Sequence, residues 1–361
     1  MFNSTDRALS PAALVLRLAL IGLILGGAAG LFAYQAGWLT PQTLTQGDVI
    51  NTFQKVNGVF PGFRRNHAKG VCFRGTFESN GQGTELSRAA LFPAGRIPVI
   101  GRFSLGGGLP YVADAPATVR ALAVQFQLPD GEQWRMAMIN LPVFPVQNVR
   151  QFTDQLVAFA PDPATGKPDP EKIKSFVVAH PATAKALPLI QARPISSGFA
   201  DDTYYGLNAF IFKDAHGRST PVRWTLIPEQ PFQPNTAADP GKIDKNYLFD
   251  GLITAVHQAP QKWRLIFTIG EPGDPTNDAT IPWPAERRKI DAGTLVIDQI
   301  ESEAISPARD INFDPTILPD GVAVSDDPLL SARSAAYSVS FTRREGEHKE
   351  PSAISTTETE K

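Results

Sequence analysis

Residues 64–78, Arg-Arg-Asn-His-Ala-Lys-Gly-Val-Cys-Phe-Arg-Gly-Thr-Phe-Glu, contain the start of the fold and its first functional motif. The first half is polar and basic and ends at Gly70. From Val71 onward, apolar residues alternate with other residues, and this period of two predicts a strand with one buried face. The stretch therefore predicts a strand that begins four residues after a histidine, His67.

Similar runs continue along the chain and predict the fold class. Four strand-like segments flank a helical stretch on each side, with a proline-rich turn at 161–170 inside that stretch. The predicted strands are 71–78, 97–105, 119–128, 134–141, 207–213, 221–227, 263–269 and 294–300. We also expect helices over 49–56 with an Asp48 cap, 149–160, from Asp169-Pro170, 243–257 and 328–344. This order predicts an α+β protein: a closed antiparallel β-barrel of about eight strands with added helices.

Composition excludes several classes of protein. The chain has 361 residues, of which 42% are hydrophobic, so it is long enough to bury a large core. Its 34 basic and 36 acidic residues give a net charge of −2, which argues against nucleic-acid binding. One cysteine excludes an internal disulfide and an all-cysteine metal site, and the five histidines show no zinc spacing.

Residues 18–39 predict a transmembrane helix. They carry no charge, are long enough to cross a bilayer, and are preceded by Arg7 and Arg17. The positive-inside asymmetry places residues 1–17 in the cytoplasm and the rest on the extracytoplasmic (periplasmic) side as a membrane-anchored domain. A cleaved signal peptide is the competing interpretation, although its apolar core is usually shorter. We expect the polar tail, residues 346–361, to be disordered.

Three motifs could carry chemistry, and each also has an ordinary structural interpretation. His67 could be a satisfied histidine at a strand start. Asn140-Leu141-Pro142 stands at the end of the predicted strand 134–141, which begins with Trp134. Arg333 and Tyr337 are four residues apart on a predicted helix, so they share a face and could form a simple cation–π pair.

Taken in order, these motifs resemble those of the haem catalase family, and most of all its short branch of membrane-anchored catalase-related peroxidases. His67-Ala68-Lys69-Gly70, Asn140-x-Pro142 and Arg333-x-x-x-Tyr337 carry the resemblance. Arg102-Phe103-Ser104, Asn312-Phe313-Asp314-Pro315 and Arg120 support it. It covers residues 45–345 and implies a catalase-like haem-binding core.

The resemblance implies a role for each matching residue. The matching tyrosine of catalases, here Tyr337, is the proximal haem ligand, bound as a phenolate beside the guanidinium of Arg333. His67 matches the distal base, Asn140 the distal asparagine, and Ser104 the serine that fixes the tautomer of the histidine. The residues expected to contact the haem are Arg64, Arg102 and Arg344 at the propionates and Phe152 at the porphyrin. Surface charge remains an alternative for Arg344, and plain core packing for Phe152.

The chain also departs from the family pattern. Phe341 stands where many catalases have a propionate-binding histidine. Residues 200–206 lack the histidine that catalases use for NADPH, which argues against that cofactor. The threading arm and C-terminal domains of large catalases have no counterpart, so we expect a more open haem and a monomer or weak homodimer.

These features favour a peroxidase with haem b (iron protoporphyrin IX). The expected partners are hydrogen peroxide or an organic hydroperoxide, a small organic electron donor, and the membrane through the N-terminal helix. Weak catalase activity is compatible with this prediction. Two alternatives stay open: a non-catalytic haem-binding or sensing module, and a catalase-fold isomerase of lipid hydroperoxides.

Overall fold

The computed structural model describes residues 10–36, 38–39, 44–115, 117–235 and 244–356. The chain divides into two compact units, Met1–Thr45 and Gln46–Lys361. The first unit contains helix α1, Pro11–Gln35, whose N-terminus is capped by the Ser10 hydroxyl. By length and composition α1 could cross a membrane, and none of its residues is buried.

The helix differs in its bounds from the predicted span. It begins seven residues before Leu18, because Ser10 caps the helix and Pro11 suits its first position. It ends at Gln35. Residues 1–9 of the predicted cytoplasmic segment lie outside the described residues, as do residue 243 of a predicted helix and residues 357–361 of the predicted tail.

The second unit contains the remaining elements of the described chain. Its helices are α2 (Gln46–Asn57), α3 (Val149–Ala158), α4 (Pro170–Ala179), α5 (Pro181–Ala192), α6 (Tyr247–Gln258) and α7 (Pro328–Glu345). Its strands are β1 (Gly70–Ser79), β2 (Gly95–Leu105), β3 (Arg120–Gln127), β4 (Gln133–Ile139), β5 (Tyr204–Tyr205), β6 (Phe210–Lys213), β7 (Ser219–Pro228), β8 (Gln261–Ile269), β9 (Lys289–Glu301) and β10 (Val322–Val324).

Eight of these strands close into a ring. The order is β1-β2-β3-β4-β5-β7-β8-β9 and back to β1, and the pairings are antiparallel throughout. The predicted α+β barrel of about eight strands is therefore confirmed. Tyr204–Tyr205 is the ring member that the sequence did not predict, since two residues give no periodic signal. The predicted strand 207–213 begins at Phe210 and pairs with another part of β7, outside the ring.

Along β2, β3 and β4, side chains alternate between the barrel core and the opposite face of the sheet. Phe103, Leu122, Phe126 and Trp134 belong to the main hydrophobic core of the barrel. The alternate positions face the other side, because successive side chains of a strand point to opposite faces. On β3 and β4 this second face is formed by small side chains, Ala121, Ala123 and Ala137, which leave room above the sheet.

Two helices complete the surroundings of this second face. Helix α7 begins with Asp327, whose side chain accepts a hydrogen bond from the Leu329 amide, followed by Pro328 at the first position. Helix α2 packs against α7. It begins at Gln46 and contains Asp48 in its first turn, so Asp48 is not the predicted cap.

The segment after α7 differs from the sequence prediction. Residues 346–356 were expected to be disordered, yet they lie against the domain. The Tyr111 hydroxyl donates to the Pro351 carbonyl at 2.9 Å, the Arg309 guanidinium to the Glu350 carbonyl at 2.7 Å, and Ile354 is 3% exposed within the main core. The side chains of this segment do not predict these contacts, because both hydrogen bonds are accepted by its backbone carbonyls.

A buried ion pair fixes the start of β1. The Lys69 ammonium lies 2.6 Å from an Asp114 carboxylate oxygen, and both side chains are at most 1% exposed. Lys69 also donates to the Val112 carbonyl, and Asp114 accepts from the Leu248 amide. The pair therefore joins β1 to the loop before β3 and to α6.

Asp114→Ala should lower the free energy of unfolding by about 3–5 kcal/mol, because the Lys69 ammonium would stay buried without its partner. The exposed pair of Glu78 and Arg96 is the matched control, and Glu78→Ala should cost only about 0–1 kcal/mol. Urea denaturation measures both. Equal losses in the two variants would show that the buried pair does not stabilise the strand start.

Candidate functional site

A cavity of about 660 Å³ lies between the small-residue face of β2–β4 and helix α7. Its size is typical of a site for a cofactor or ligand of several rings. Ala121, Ala123 and Ala137 form its sheet side, and α2 and α3 contribute apolar side chains to its wall. The result is a broad, mostly apolar space with polar groups at a few positions.

His67 lines this cavity in a rare backbone conformation. Its φ is +58°, which non-glycine residues seldom adopt and which is found mainly at functional sites. The Asn66 carboxamide oxygen accepts from the His67 and Gly107 amides at 3.0 and 2.9 Å, and the Arg102 guanidinium donates to the His67 carbonyl at 2.7 Å. These three bonds hold the turn that presents the imidazole.

The imidazole of His67 is kept neutral. Burial, followed by the nearby positive charges of Arg102, Arg64 and Arg333, lowers its pKa from the usual 6.5 to about 4. The Ser104 hydroxyl lies 3.4 Å from Nδ1, so it is within reach to fix the tautomer, the role that the family resemblance implies for it. A neutral imidazole held in this way can accept and return a proton.

Tyr337 lines the same cavity from α7. The Arg333 guanidinium lies 3.4 Å from the phenol oxygen and is held by the Asn208 side-chain oxygen at 2.6 Å and the Ala137 carbonyl at 3.1 Å. The predicted i, i+4 pair is thus present in space. The guanidinium of Arg333 thus holds the phenol oxygen at a fixed place in the cavity wall.

Arg64, Arg102 and Arg344 meet at one part of the cavity lining. Arg102 pairs with buried Glu303 at 2.6 Å, whereas Arg344 lies 3.8 Å from Asp310, and Arg64 donates to the carbonyls of Arg309 and Ile311. Burial first, and then repulsion from Arg344 and Arg102, lowers the pKa of Arg64 far below its usual value. Arg344 is 4% exposed, so the surface-charge alternative for it is wrong.

Asn140 does not reach the cavity, which corrects the expectation that it faces the ligand. Its side-chain oxygen accepts from the Arg120 amide at 2.9 Å, and its amide donates to the Thr118 carbonyl at 3.0 Å and the Asp202 carboxylate at 2.8 Å. The preceding residue, Ile139, lines the cavity instead. Sequence reasoning missed this because a motif identifies a position in the chain and not the direction of its side chain.

The aromatic residues form the apolar end of the cavity. Phe152 stacks on Phe144 with 5.8 Å between ring centroids and also meets Phe53 of α2. Phe341 lines the cavity too, with the Arg344 guanidinium 5.3 Å above its ring. Three polar residues support the cavity lining: Asn66 holds the His67 turn, Glu303 pairs with Arg102, and Asn208 holds Arg333. The sequence offers no signal for Glu303 and Asn208, because each is isolated in a loop.

The donor set fits an iron porphyrin. A flat apolar floor suits a planar macrocycle, and buried guanidinium groups with few carboxylate partners suit two propionates. A phenol oxygen held by an arginine is a suitable anionic ligand for ferric iron. No cluster of His, Cys, Asp and Glu suited to a bare metal ion occurs among the described residues.

Comparison with known proteins finds one matching family and several similar sequences. The sequence profile of the family described as catalase matches residues 34–355. The chain is 34% identical to a catalase-related peroxidase of Synechococcus elongatus, covering 91% of this chain and 96% of the relative. It is 31% identical to a catalase-related peroxidase of Mycolicibacterium paratuberculosis, with 84% and 96% covered.

Solved structures show the same fold. A bacterial catalase matches with a TM-score of 0.70 at 22% identity, covering 85% of this chain and 63% of that one. Catalase A from Saccharomyces cerevisiae matches with a TM-score of 0.72 at 20% identity, covering 84% and 65%. The chain therefore spans somewhat less than two thirds of these two solved catalases.

His67 should titrate near pH 4 in the cofactor-free protein, as measured by NMR of histidine labelled with ¹³C in the ring. The unfolded imidazole takes up a proton below about pH 6.5, whereas the folded one does not until about pH 4. The stability of the folded state should therefore fall as the pH drops through this window.

The signal can be assigned by its disappearance in His67→Gln. A His67 resonance that titrates at the ordinary value of about 6.5 would contradict the electrostatic effect that we attribute to burial and the surrounding arginines.

Proposed function

The chain belongs to the catalase family and is an oxidoreductase that acts on peroxide; on that premise we propose that it is a haem b peroxidase. It reduces hydrogen peroxide or organic hydroperoxides with a small organic electron donor, and NADPH is not its cofactor. The observation that carries the proposal is one cavity lined by neutral His67 on its strand side and by the Arg333–Tyr337 pair on its helix side.

Each group of lining residues has a part in binding the cofactor. Tyr337 Oη would ligate the iron, and Arg333 would hold the phenolate in place. Arg64, Arg102 and Arg344 would bind the propionates, which supply the negative charge that this part of the cavity needs. Phe152 would pack against the macrocycle. When bound, haem supplies the iron that polarises peroxide and holds the oxidising equivalents.

His67 moves the proton. Its neutral imidazole accepts the proton from the hydroperoxide ROOH and delivers it to the departing oxygen as the O–O bond breaks. Two electrons and two protons from the donor complete the balance, so that ROOH is converted to ROH and water. Ser104 at Nδ1 and Asn66 at the backbone keep the ring in the orientation for this transfer.

The wall near His67 favours peroxidase turnover over dismutation. In the register of the sheet, Ser104 is followed by Ala121 and then by Ile139. Ala121, Ile139 and the aromatic cluster are apolar, so an alkyl group on the substrate or donor is accommodated there without loss of a hydrogen bond. Catalase activity should accordingly be weak.

The N-terminal helix supports a location at the membrane. A 25-residue helix is about 37 Å long, enough to cross a bilayer core of about 30 Å. Arg17 lies in the N-terminal half of the helix, and Arg7 precedes the helix in the sequence. We propose that it is an uncleaved anchor and that the haem domain is extracytoplasmic; a signal sequence is the alternative, and N-terminal sequencing of the mature protein distinguishes them.

His67→Asn should lower kcat/KM for peroxide-dependent dye oxidation by about 10²–10⁴-fold, because the proton carrier is lost. Asparagine tolerates the positive φ at this position, so the turn should survive. Asn140→Ala is the contrasting variant and should change activity only in proportion to its folded fraction. If His67→Asn retains wild-type turnover, the proton-transfer role is wrong.

Tyr337→Phe should abolish the absorption bands of tyrosinate-ligated ferric haem. Loss of a supporting residue at a metal site typically weakens binding by about 10–100-fold, and loss of the ligand itself should exceed that. Tyr111→Phe is the control, since Tyr111 is 41% exposed and lies outside the cavity lining. An unchanged spectrum in Tyr337→Phe would show that another side chain holds the iron.

A further inference from the structure

The turn that carries His67 needs external support. A positive φ at a histidine is unfavourable in isolation and persists only where neighbouring groups hold it. Asn66 and Arg102 hold the turn against β2 and the residues that follow β2. Residues 62–65 lead into the turn, and their position sets where it begins.

Glu347 holds residues 62–65 in place. Its carboxylate bonds to both terminal nitrogens of the Arg65 guanidinium, and one of its oxygens accepts from the Gly62 amide at 2.9 Å. Arg65 is 4% exposed and also donates to the Phe63 carbonyl at 2.8 Å, which closes the loop on itself. A two-pronged arginine–carboxylate pair fixes both distance and angle.

Gly62 shows how closely the two segments approach. It has a φ of +74°, and a Cβ at this position would lie 2.7 Å from the His348 carbonyl oxygen. Only glycine admits this contact without displacement. The backbone of 347–349 therefore rests directly on the loop that leads to His67.

The location of Glu347 gives the contact its significance. It stands two residues after the end of α7, the helix that carries Arg333 and Tyr337. The residues beyond it are fixed separately, by Tyr111 at Pro351 and by the burial of Ile354. Glu347 thus links the end of the Tyr337 helix to the His67 turn across one ion pair.

We propose that Glu347 is a positioning residue, which through Arg65 fixes the His67 turn relative to the helix that carries Tyr337. This inference rests on the proposed function, because it takes His67 as the proton carrier. Glu347 does not line the cavity and does not touch the reacting atoms. Its effect on turnover would therefore be indirect, through the position of the His67 turn.

A double-mutant cycle on the haem-loaded full chain tests the proposal. Glu347→Gln should lower kcat/KM for hydrogen peroxide by at least 10-fold in the wild-type background and by less than 2-fold in the His67→Asn background. The two substitutions would then be coupled. A general loss of folded protein would instead lower activity by the same factor in both backgrounds.

Two companion variants make the test specific. Glu345→Gln removes the same charge two residues earlier, where the side chain is exposed, and should leave kcat/KM within 2-fold. Arg65→Lys alters the other side of the pair; it keeps the charge but loses the fork and should reproduce part of the loss. It also serves if Glu347→Gln does not fold.

Hydrogen–deuterium exchange of the holoenzyme adds a readout independent of turnover. Amides of residues 62–68 should exchange at least 10-fold faster in Glu347→Gln than in wild type or Glu345→Gln. Unchanged exchange, or an equal loss of activity in both backgrounds, overturns the positioning role. Full activity in His67→Asn alone would instead overturn the proposed function, so the two failures are distinguishable.

Discussion

The site depends on positive charge that is buried around one imidazole. Arg64, Arg102 and Arg333 surround His67, and the burial of the ring adds to their effect, so that its pKa lies near 4. The same groups that keep the base neutral are suited to bind the anionic parts of a cofactor. In the proposed function, one electrostatic arrangement would thus serve both to bind haem and to keep His67 in the protonation state that peroxide chemistry requires.

The register of the sheet determines which side chains face the cavity. Along one register row, Gly70, Ser104, Ala121 and Ile139 lie side by side on four consecutive strands. Because side chains alternate, a shift of one residue on any strand would exchange the cavity face for the core face. The small residues of β3 and β4 open the space, and Ile139 rather than Asn140 faces it.

The two halves of the site come from distant parts of the chain. His67 stands just before β1 and Tyr337 near the middle of the last helix, which Arg333 joins to the Ala137 carbonyl of β4. The segment after α7 adds a further link by returning to the residues before His67, where Glu347 meets Arg65 and Gly62. A stretch whose composition is typical of a disordered tail is therefore part of the frame of the site.

The sequence by itself determined the barrel, the helix that carries Tyr337 and eight of the nine candidate site residues. The barrel and the helix follow from local periodicity, whereas the candidate site residues follow from the resemblance of their motifs to those of a known family. Those that line the cavity are His67, Ser104, Arg64, Arg102, Arg333, Arg344, Phe152 and Tyr337. Tertiary structure alone decided that Asn140 turns toward Arg120 and Asp202, that Asn208 holds Arg333, and that Glu347 joins the His67 turn. These contacts join residues far apart in the chain or depend on the direction of one side chain, and neither property leaves a periodic signal.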